Sequence, residues 1–432
     1  MLEELSLQKF IAYLASLSKV PAVRGSLALY SGNLIAAALG FMVSLIVARK
    51  LGPSSYALIA AYNAVIVTLI GLTDFGLGVG LIKNVGPLLQ NKPHEARPFF
   101  ALVFWFEVFS GLLVLIFGLS LSPLISSLAG ADAKLEVVQL AIISAAFASA
   151  GAFAGISLLA HKMMLTNSIL ATAMSLVRLL AIVLLWYFSA LTVVNILVCF
   201  VSISILNFIA GLVLIPKNFW GRLPISKIKP TFIRIFKISG WLTLSSLLAA
   251  IMSRLDFFYL FKIKGSTEAG YYGAAIQLSM VFAILISSIS AALTPYISEK
   301  TTHEGRVKFL KKALVAVGLG ALVIGIIIIL APVVISLLFG SKYIQAVPAF
   351  RILGFHFILN LILIPITLLF IPLGKMHIGT AVSVLQLCAA IILYPILITN
   401  FGSAGAATTM LVTTLIGFVA YSLVLMILLR TK

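Results

Sequence analysis

Residues 26–48 read SLALYSGNLIAAALGFMVSLIVA, an uncharged stretch whose length decides the fold. A bilayer's hydrocarbon core of about 30 Å needs about 20 apolar residues of helix, and this stretch supplies them. Eleven more follow, near 55–75, 99–121, 137–160, 165–188, 191–215, 236–261, 270–296, 313–338, 346–372, 378–399 and 404–429. The connections are short. The expected fold is an all-α polytopic membrane protein of about twelve transmembrane helices, with no room for a soluble domain.

Composition agrees. The chain has 432 residues, 62% of them hydrophobic and 9% charged, with a mean hydropathy of +1.21. Soluble domains carry about 25% charged residues. A net charge of +19 in a soluble protein would suggest nucleic acid. Here the basic residues sort by loop: about 21 fall on the side of both termini and about 6 on the other. That asymmetry places the termini and the basic loops in the cytoplasm, and the protein in the cytoplasmic membrane as a multi-pass protein. Residues 1–24 read as an interfacial amphipathic helix, with Leu7, Phe10, Ile11, Leu14 and Leu17 at helical spacing. Glu3 and Glu4 stand where a cleavable signal would be basic. Cys199 and Cys388 lie inside spans and read as packing residues rather than as a disulfide or metal pair.

The chain divides into an N-terminal six-helix half (25–216), a basic cytoplasmic linker (217–231) and a C-terminal six-helix half (232–432). LGPSSYALIAAYNAV (51–65) after span one aligns with KGSTEAGYYGAAIQL (264–278) after span seven, Gly52 on Gly265 at an offset of 213. Span parity puts both copies on one side of the membrane, so the repeat is parallel and the site is expected between the halves.

No catalytic or cofactor motif survives inspection. His94-Glu95 and His303-Glu304 open a zinc-protease string, but Pro98 and Val307 stand where its second histidine belongs. Gly374-Lys375 lacks the upstream glycine of a phosphate loop. The chain reads as a non-enzyme without cofactor or metal.

Charges inside spans are costly, so they mark candidate sites. Arg178 lies mid-span with Ser168, Thr172 and Ser175 approaching it at helical spacing. Its guanidinium fork matches phosphate oxygens; the plain alternative is an ion pair with Glu107. Arg254 is read toward the outer part of span seven, with snorkelling as its alternative. Arg24 stands at the mouth of span one, whose Tyr30, Asn33, Ala37, Gly40 and Ser44 form a cavity-like stripe or a close-packing face. Asp74 is followed by Gly76, Gly78, Gly80, Lys83 and Gly86, read either as a lipid-phosphate site or as a loosened helix end. Arg24, Asn33, Lys83, Arg178 and Arg254 are therefore the substrate-binding candidates. An ion-coupling carboxylate must be hydrated in one state and buried in another. Glu107 has the depth for it; Asp256 is read near the outer surface, and Asp74 at the cytoplasmic end as a cap or pair.

IVARKLGPSSYAL (46–58), TDFGLGVGLIKN (73–84), RLDFFYLFKIKGSTEAGYYGAAIQLS (254–279), LTPYIS (293–298) and NFGSAGAATTMLV (400–412) occur in this order. Together they resemble the polysaccharide-transport flippases of the multidrug/oligosaccharidyl-lipid/polysaccharide exporter superfamily. The resemblance implies translocation of a polyprenyl-pyrophosphate-linked oligosaccharide, such as an O-antigen unit of lipopolysaccharide, from the cytoplasmic to the outer leaflet. It implies membrane lipids and a polysaccharide polymerase complex as partners, and an aspartate falling on Asp256. With no nucleotide site, uphill export would need a proton or sodium gradient, unless later enzymes draw the lipid across by consuming it. Twelve spans rather than fourteen set the chain apart from the peptidoglycan-precursor branch. The rival readings are a multidrug/cation antiporter of the same superfamily, whose cavity should be acidic and aromatic, and a membrane glycan polymerase or ligase. The latter needs a larger outer loop than 122–136.

Overall fold

Two glycines set where the helices turn. Gly52 (φ 77°, ψ 175°) and Gly265 (φ 79°, ψ −173°) share a backbone conformation that only glycine adopts without strain. In the computed structural model, which describes residues 21–129, 132, 134–216, 225–298, 303–370 and 377–430, each sits at the junction of two consecutive spans. The second repeat pair is less obvious. Ser189 (φ 54°) and Gly402 (φ 56°) stand the same 213 residues apart, each between the last two spans of its half. Positive φ at matched offsets marks a repeat between the halves.

The described elements are helices α1 (Pro21–Leu51), α2 (Pro53–Thr73), α3 (Leu77–Asn91), α4 (Pro93–Ala129), α5 (Leu135–Ala160), α6 (Met164–Tyr187) and α7 (Val193–Leu214) in the N-terminal half. The C-terminal half has α8 (Ile225–Met252), α9 (Leu255–Ser298), α10 (His303–Ile329), α11 (Ala331–Leu338), a 3₁₀ turn (Ser341–Ala346), α12 (Val347–Leu368) and α13 (His377–Arg430). Nine described helices are long and apolar enough to span. Two of these, the run Leu247–Ala291, which joins the end of α8 to α9, and α13, are double spans bent at Gly265 and Gly402. A tenth span is the pair α10–α11, bent by 69° where Pro332 starts the second piece. Counted so, the described helices make twelve spans, as the sequence predicts.

The halves meet along α2, which packs on α9 and on α8. Small residues allow the approach. A Cβ at Gly270 would fall 2.0 Å from the Pro53 carbonyl oxygen, and one at Gly71 would fall 2.5 Å from Ala250 Cβ. The largest core cluster crosses this seam, joining Tyr56, Tyr62 and Ala64 to Phe257, Tyr272 and Phe282.

Three sequence expectations change. The run after Asp74 is no loosened end: α3 is an ordered helix of 15 residues, started by left-handed Gly76 (φ 63°). The expected linker 217–231 is shorter, because α8 begins at Ile225 and carries Pro230 within it. The expected amphipathic helix 1–24 lies outside the described residues up to 20, and 21–24 already belong to α1.

Candidate functional site

Helix α8 stops at Met252 and α9 starts at Leu255, leaving Ser253 and Arg254 as a turn within span seven. Broken helix at membrane depth is tolerated where it lines a cavity, and this turn does. A cavity of about 860 Å³ lies between the halves, lined by α1, α2, α6, α7, α9 and Arg254. Apolar residues dominate its wall, with Ser44, Asn63, Gln277 and Ser287 as polar points. Among the described residues two charges face it, Arg178 and Arg254, and no carboxylate lines it.

Both arginines are held but incompletely satisfied. Helix α6 packs along α1, where Ser168 donates to the Ala28 carbonyl at 2.8 Å and Thr172 to that of Gly32 at 3.2 Å. The polar residues read as leading to Arg178 thus fasten its helix instead. The Arg178 guanidinium lies 4.8 Å from the centroid of the Phe200 ring. Its Nε and that of Arg254 are buried with no hydrogen-bond partner. The alternative pairing of Arg178 with Glu107 does not form: Glu107 lines a separate cavity, and no ion pair joins the two. Two half-buried cationic groups with donors to spare, in a chamber whose described lining holds no carboxylate, suit an anion.

One end of the chamber is shut by contacts between the halves. Arg49 donates from Nε to the Leu338 carbonyl at 2.6 Å and from a terminal nitrogen to that of Leu337, orphan acceptors at the end of α11. The Tyr343 hydroxyl donates to the Ala48 carbonyl at 3.0 Å. The Ser54 and Ser266 hydroxyls meet at 2.9 Å, and Ser266 N–H donates to Asp132 Oδ2 at 2.7 Å. Beneath these bonds Tyr56 and Tyr271 both pack edge-on against Tyr343, and Phe41 against Phe339. Toward the other end the lining residues Leu34, Val67, Val281 and Ile284 are exposed, so the chamber opens there.

Other candidates fall elsewhere. Asn33 and Lys83 are exposed and do not line the chamber, and the Arg24 side chain lies outside the described residues. Asp256 is 1% exposed, accepting from the Tyr272 hydroxyl at 2.7 Å and from Phe257 N–H at 2.7 Å. Arg351, read as an interfacial anchor, is exposed and donates to the Ile328 carbonyl at 3.3 Å. Cys199 and Cys388 are free thiols. Asp74 caps locally, Oδ1 accepting from Gly76 N–H at 3.0 Å, and shares a second cavity with Glu107. Sequence reasoning missed Phe200, Asn63 and Gln277 as chamber residues. Nothing in their spacing marks them, because a neutral residue in a span carries no cost that demands explanation.

Comparisons with known proteins come to the same place. The family described as polysaccharide biosynthesis protein matches residues 22–301. A Shigella flexneri protein named as a candidate O-antigen transporter is 26% identical over 180 residues, 41% of this chain; the match spans 43% of that relative's length. Among solved structures, a lipid II flippase, MurJ, in an inward closed conformation aligns over 92% of this chain and 87% of its own, with a TM-score of 0.74 and 17% identity. An inward-facing multidrug resistance transporter of the MATE family aligns over 92% and 96%, with a TM-score of 0.68 and 20% identity. These likenesses establish the fold. With the family match over most of its length, the chain belongs to the polysaccharide biosynthesis protein family, and its fold is that of the MurJ and MATE structures.

Proposed function

We propose that the protein is a flippase that carries a polyprenyl-pyrophosphate-linked oligosaccharide from the cytoplasmic to the outer leaflet for surface polysaccharide export. The observation that carries this reading is the chamber itself: Arg178 and Arg254 face it, each with an Nε that has no hydrogen-bond partner, and among the described residues no carboxylate lines it. A pyrophosphate supplies the acceptors those donors lack, and the neutral polar points Ser44, Asn63 and Gln277 can meet sugar hydroxyls. The prenyl tail stays in lipid, since burying its methylenes elsewhere offers nothing over the bilayer. The bias of basic residues puts the closed Gly52 end outside and the open end toward the cytoplasm, a loading state. Release then requires the halves to part at the closed end, by alternating access.

The cation antiporter is the reading to beat on this fold. A cation-binding chamber should present carboxylates, and this one presents arginines. The test is reconstitution of the full chain in proteoliposomes with a polyprenyl pyrophosphate bearing a labelled trisaccharide, scored by lectin accessibility from one side. Protein-dependent flipping of this lipid, lost in an Arg178→Ala/Arg254→Ala double variant that still inserts, is expected. Transport of a cationic dye with no movement of the glycolipid would sink the proposal.

A further inference from the structure

Span nine bends by 69° between α10 and α11, next to Pro332. Pro332 carries no N–H, so the Ile328 carbonyl, four residues earlier, loses the bond that a continuous helix would give it. A backbone group freed at membrane depth is tolerated where a neighbouring helix supplies its partner. Arg351 of α12 does so, its Nε donating to the Ile328 carbonyl at 3.3 Å. Gly354 lies three residues on, over the same face of α12, and lets the two helices approach; a Cβ there would run into the Ile328 side chain.

The other end of the same short helix meets the opposite half. Helix α11 has eight residues, about 12 Å of rise. Its last carbonyls, those of Leu337 and Leu338, accept from Arg49 of α1. A guanidinium therefore ties each end of α11, Arg351 at the root and Arg49 at the tip. The direction in which α11 leaves the bend decides whether those carbonyls reach Arg49. We infer that Arg351 is a positioning residue of the closure at the Gly52 end: by holding the carbonyl that Pro332 frees, it fixes the bend of span nine and so presents the tip of α11 to the other half. Among the described residues Arg351 does not line the chamber, so it acts on the opening of the seam and not on what the chamber binds. This role rests on the alternating-access part of the proposed function and is independent of the glycan.

The test is a distance measurement between spin labels at Lys134→Cys and Lys342→Cys in the purified full chain, with Cys199 and Cys388 replaced by serine, beside thermal unfolding of each variant. Lys342 lies in the 3₁₀ turn that follows α11, so its label reports where the arm points. Arg351→Ala should add a population at longer separation, and Arg49→Ala should do the same. Residues that act through one contact are not additive, so the double variant should shift no further than the larger of the two singles. Arg351→Lys should recover part of the wild-type distribution, because an ammonium can still donate to the carbonyl. Pro332→Ala added to Arg351→Ala returns an N–H to the Ile328 carbonyl but continues α10 straight into α11. Tm should then recover while the longer separation stays, which separates lost stability from lost position. Lys92→Ala, in an exposed pair with Glu95, should match the wild type in both readouts. A lowered Tm in Arg351→Ala with wild-type distances would make Arg351 a structural anchor only and overturn the inference. So would a shift that Arg49→Ala does not reproduce, shifts that add in the double variant, or distances that Pro332→Ala restores. None of these readouts uses the glycolipid, so failure here leaves the reading of Arg178 and Arg254 standing, and failure of that reading leaves this one.

Discussion

At the scale of single residues, depth in the membrane is what made the sequence readable. Arg178 was legible because a guanidinium in hydrocarbon demands a reason, and the reason is the chamber. The surroundings of Asp256 were not legible: no local signal announces the turn at Ser253–Arg254 that precedes it, and its carboxylate lies buried beside Tyr272. Asn33 was misread because a polar stripe on α1 can face either of two neighbours, and spacing alone does not say which. The arginines differ in consequence. Arg178→Ala removes charge-assisted hydrogen bonds worth about 1.5–3 kcal/mol, so glycolipid binding should weaken by on the order of 10- to 100-fold. Arg178→Lys should recover part of it, since an ammonium lacks the fork. Arg351→Ala, which loses a bond to the Ile328 carbonyl outside the chamber, should bind as the wild type does. Equilibrium binding to detergent-solubilised protein checks all three, and equal losses at Arg178 and Arg351 would contradict the chamber assignment.

At the scale of elements, span number and the twofold repeat were legible, because apolar length and a glycine-centred turn are written locally. The breaks were not. Nothing in TDFGLGVG announces that α2 stops and an ordered α3 starts, since glycines permit a break without requiring one. Where a glycine is required, its substitution has a definite cost. Gly265→Ala places a side chain at φ 79° and ψ −173°, worth about 1–3 kcal/mol of strain. The new Cβ would also lie 3.1 Å from Asp132 Oδ2. A lowered Tm with an unchanged helical circular dichroism spectrum is expected, and an unchanged Tm would refute the strain. The same contact has a pH signature. Asp132 lies in the exposed loop between α4 and α5, and the Ser266 backbone N–H, then its hydroxyl, hold the Asp132 carboxyl below its ordinary value. A depressed carboxyl stabilises the contact fully above its unperturbed value of about 4 and loses that contribution as pH falls through the lowered one. Spin labels at Lys134 and Lys342, one on each half, should therefore separate in acid. In Asp132→Asn the distance should no longer respond to pH in that range.

At the scale of the molecule, the two halves share a repeat, and the proposed transport depends on which end of their seam is shut. The Gly52 end is closed by Arg49 on the α11 carbonyls, Tyr343 on Ala48, the aromatic cluster beneath, and the Ser54–Ser266 pair. The orientation proposed from the charge bias, with that end outward, predicts that fusions of a reporter after Lys432 and within 218–228 both read cytoplasm. The seam can be locked directly. Hydroxyl oxygens 2.9 Å apart place the two Cβ atoms within reach of a disulfide, so Ser54→Cys with Ser266→Cys should cross-link on mild oxidation, with Cys199 and Cys388 replaced by serine. Locking one end of an alternating-access transporter separates loading from release. The oxidised variant should still bind glycolipid from the open end, because Arg178 and Arg254 remain accessible there, but it should not turn over. Reduction should restore flipping to the level of the unoxidised variant. Flipping that continues at full rate with the cross-link complete would mean that the Gly52 end never opens, and that substrate leaves by a route other than the seam between the halves.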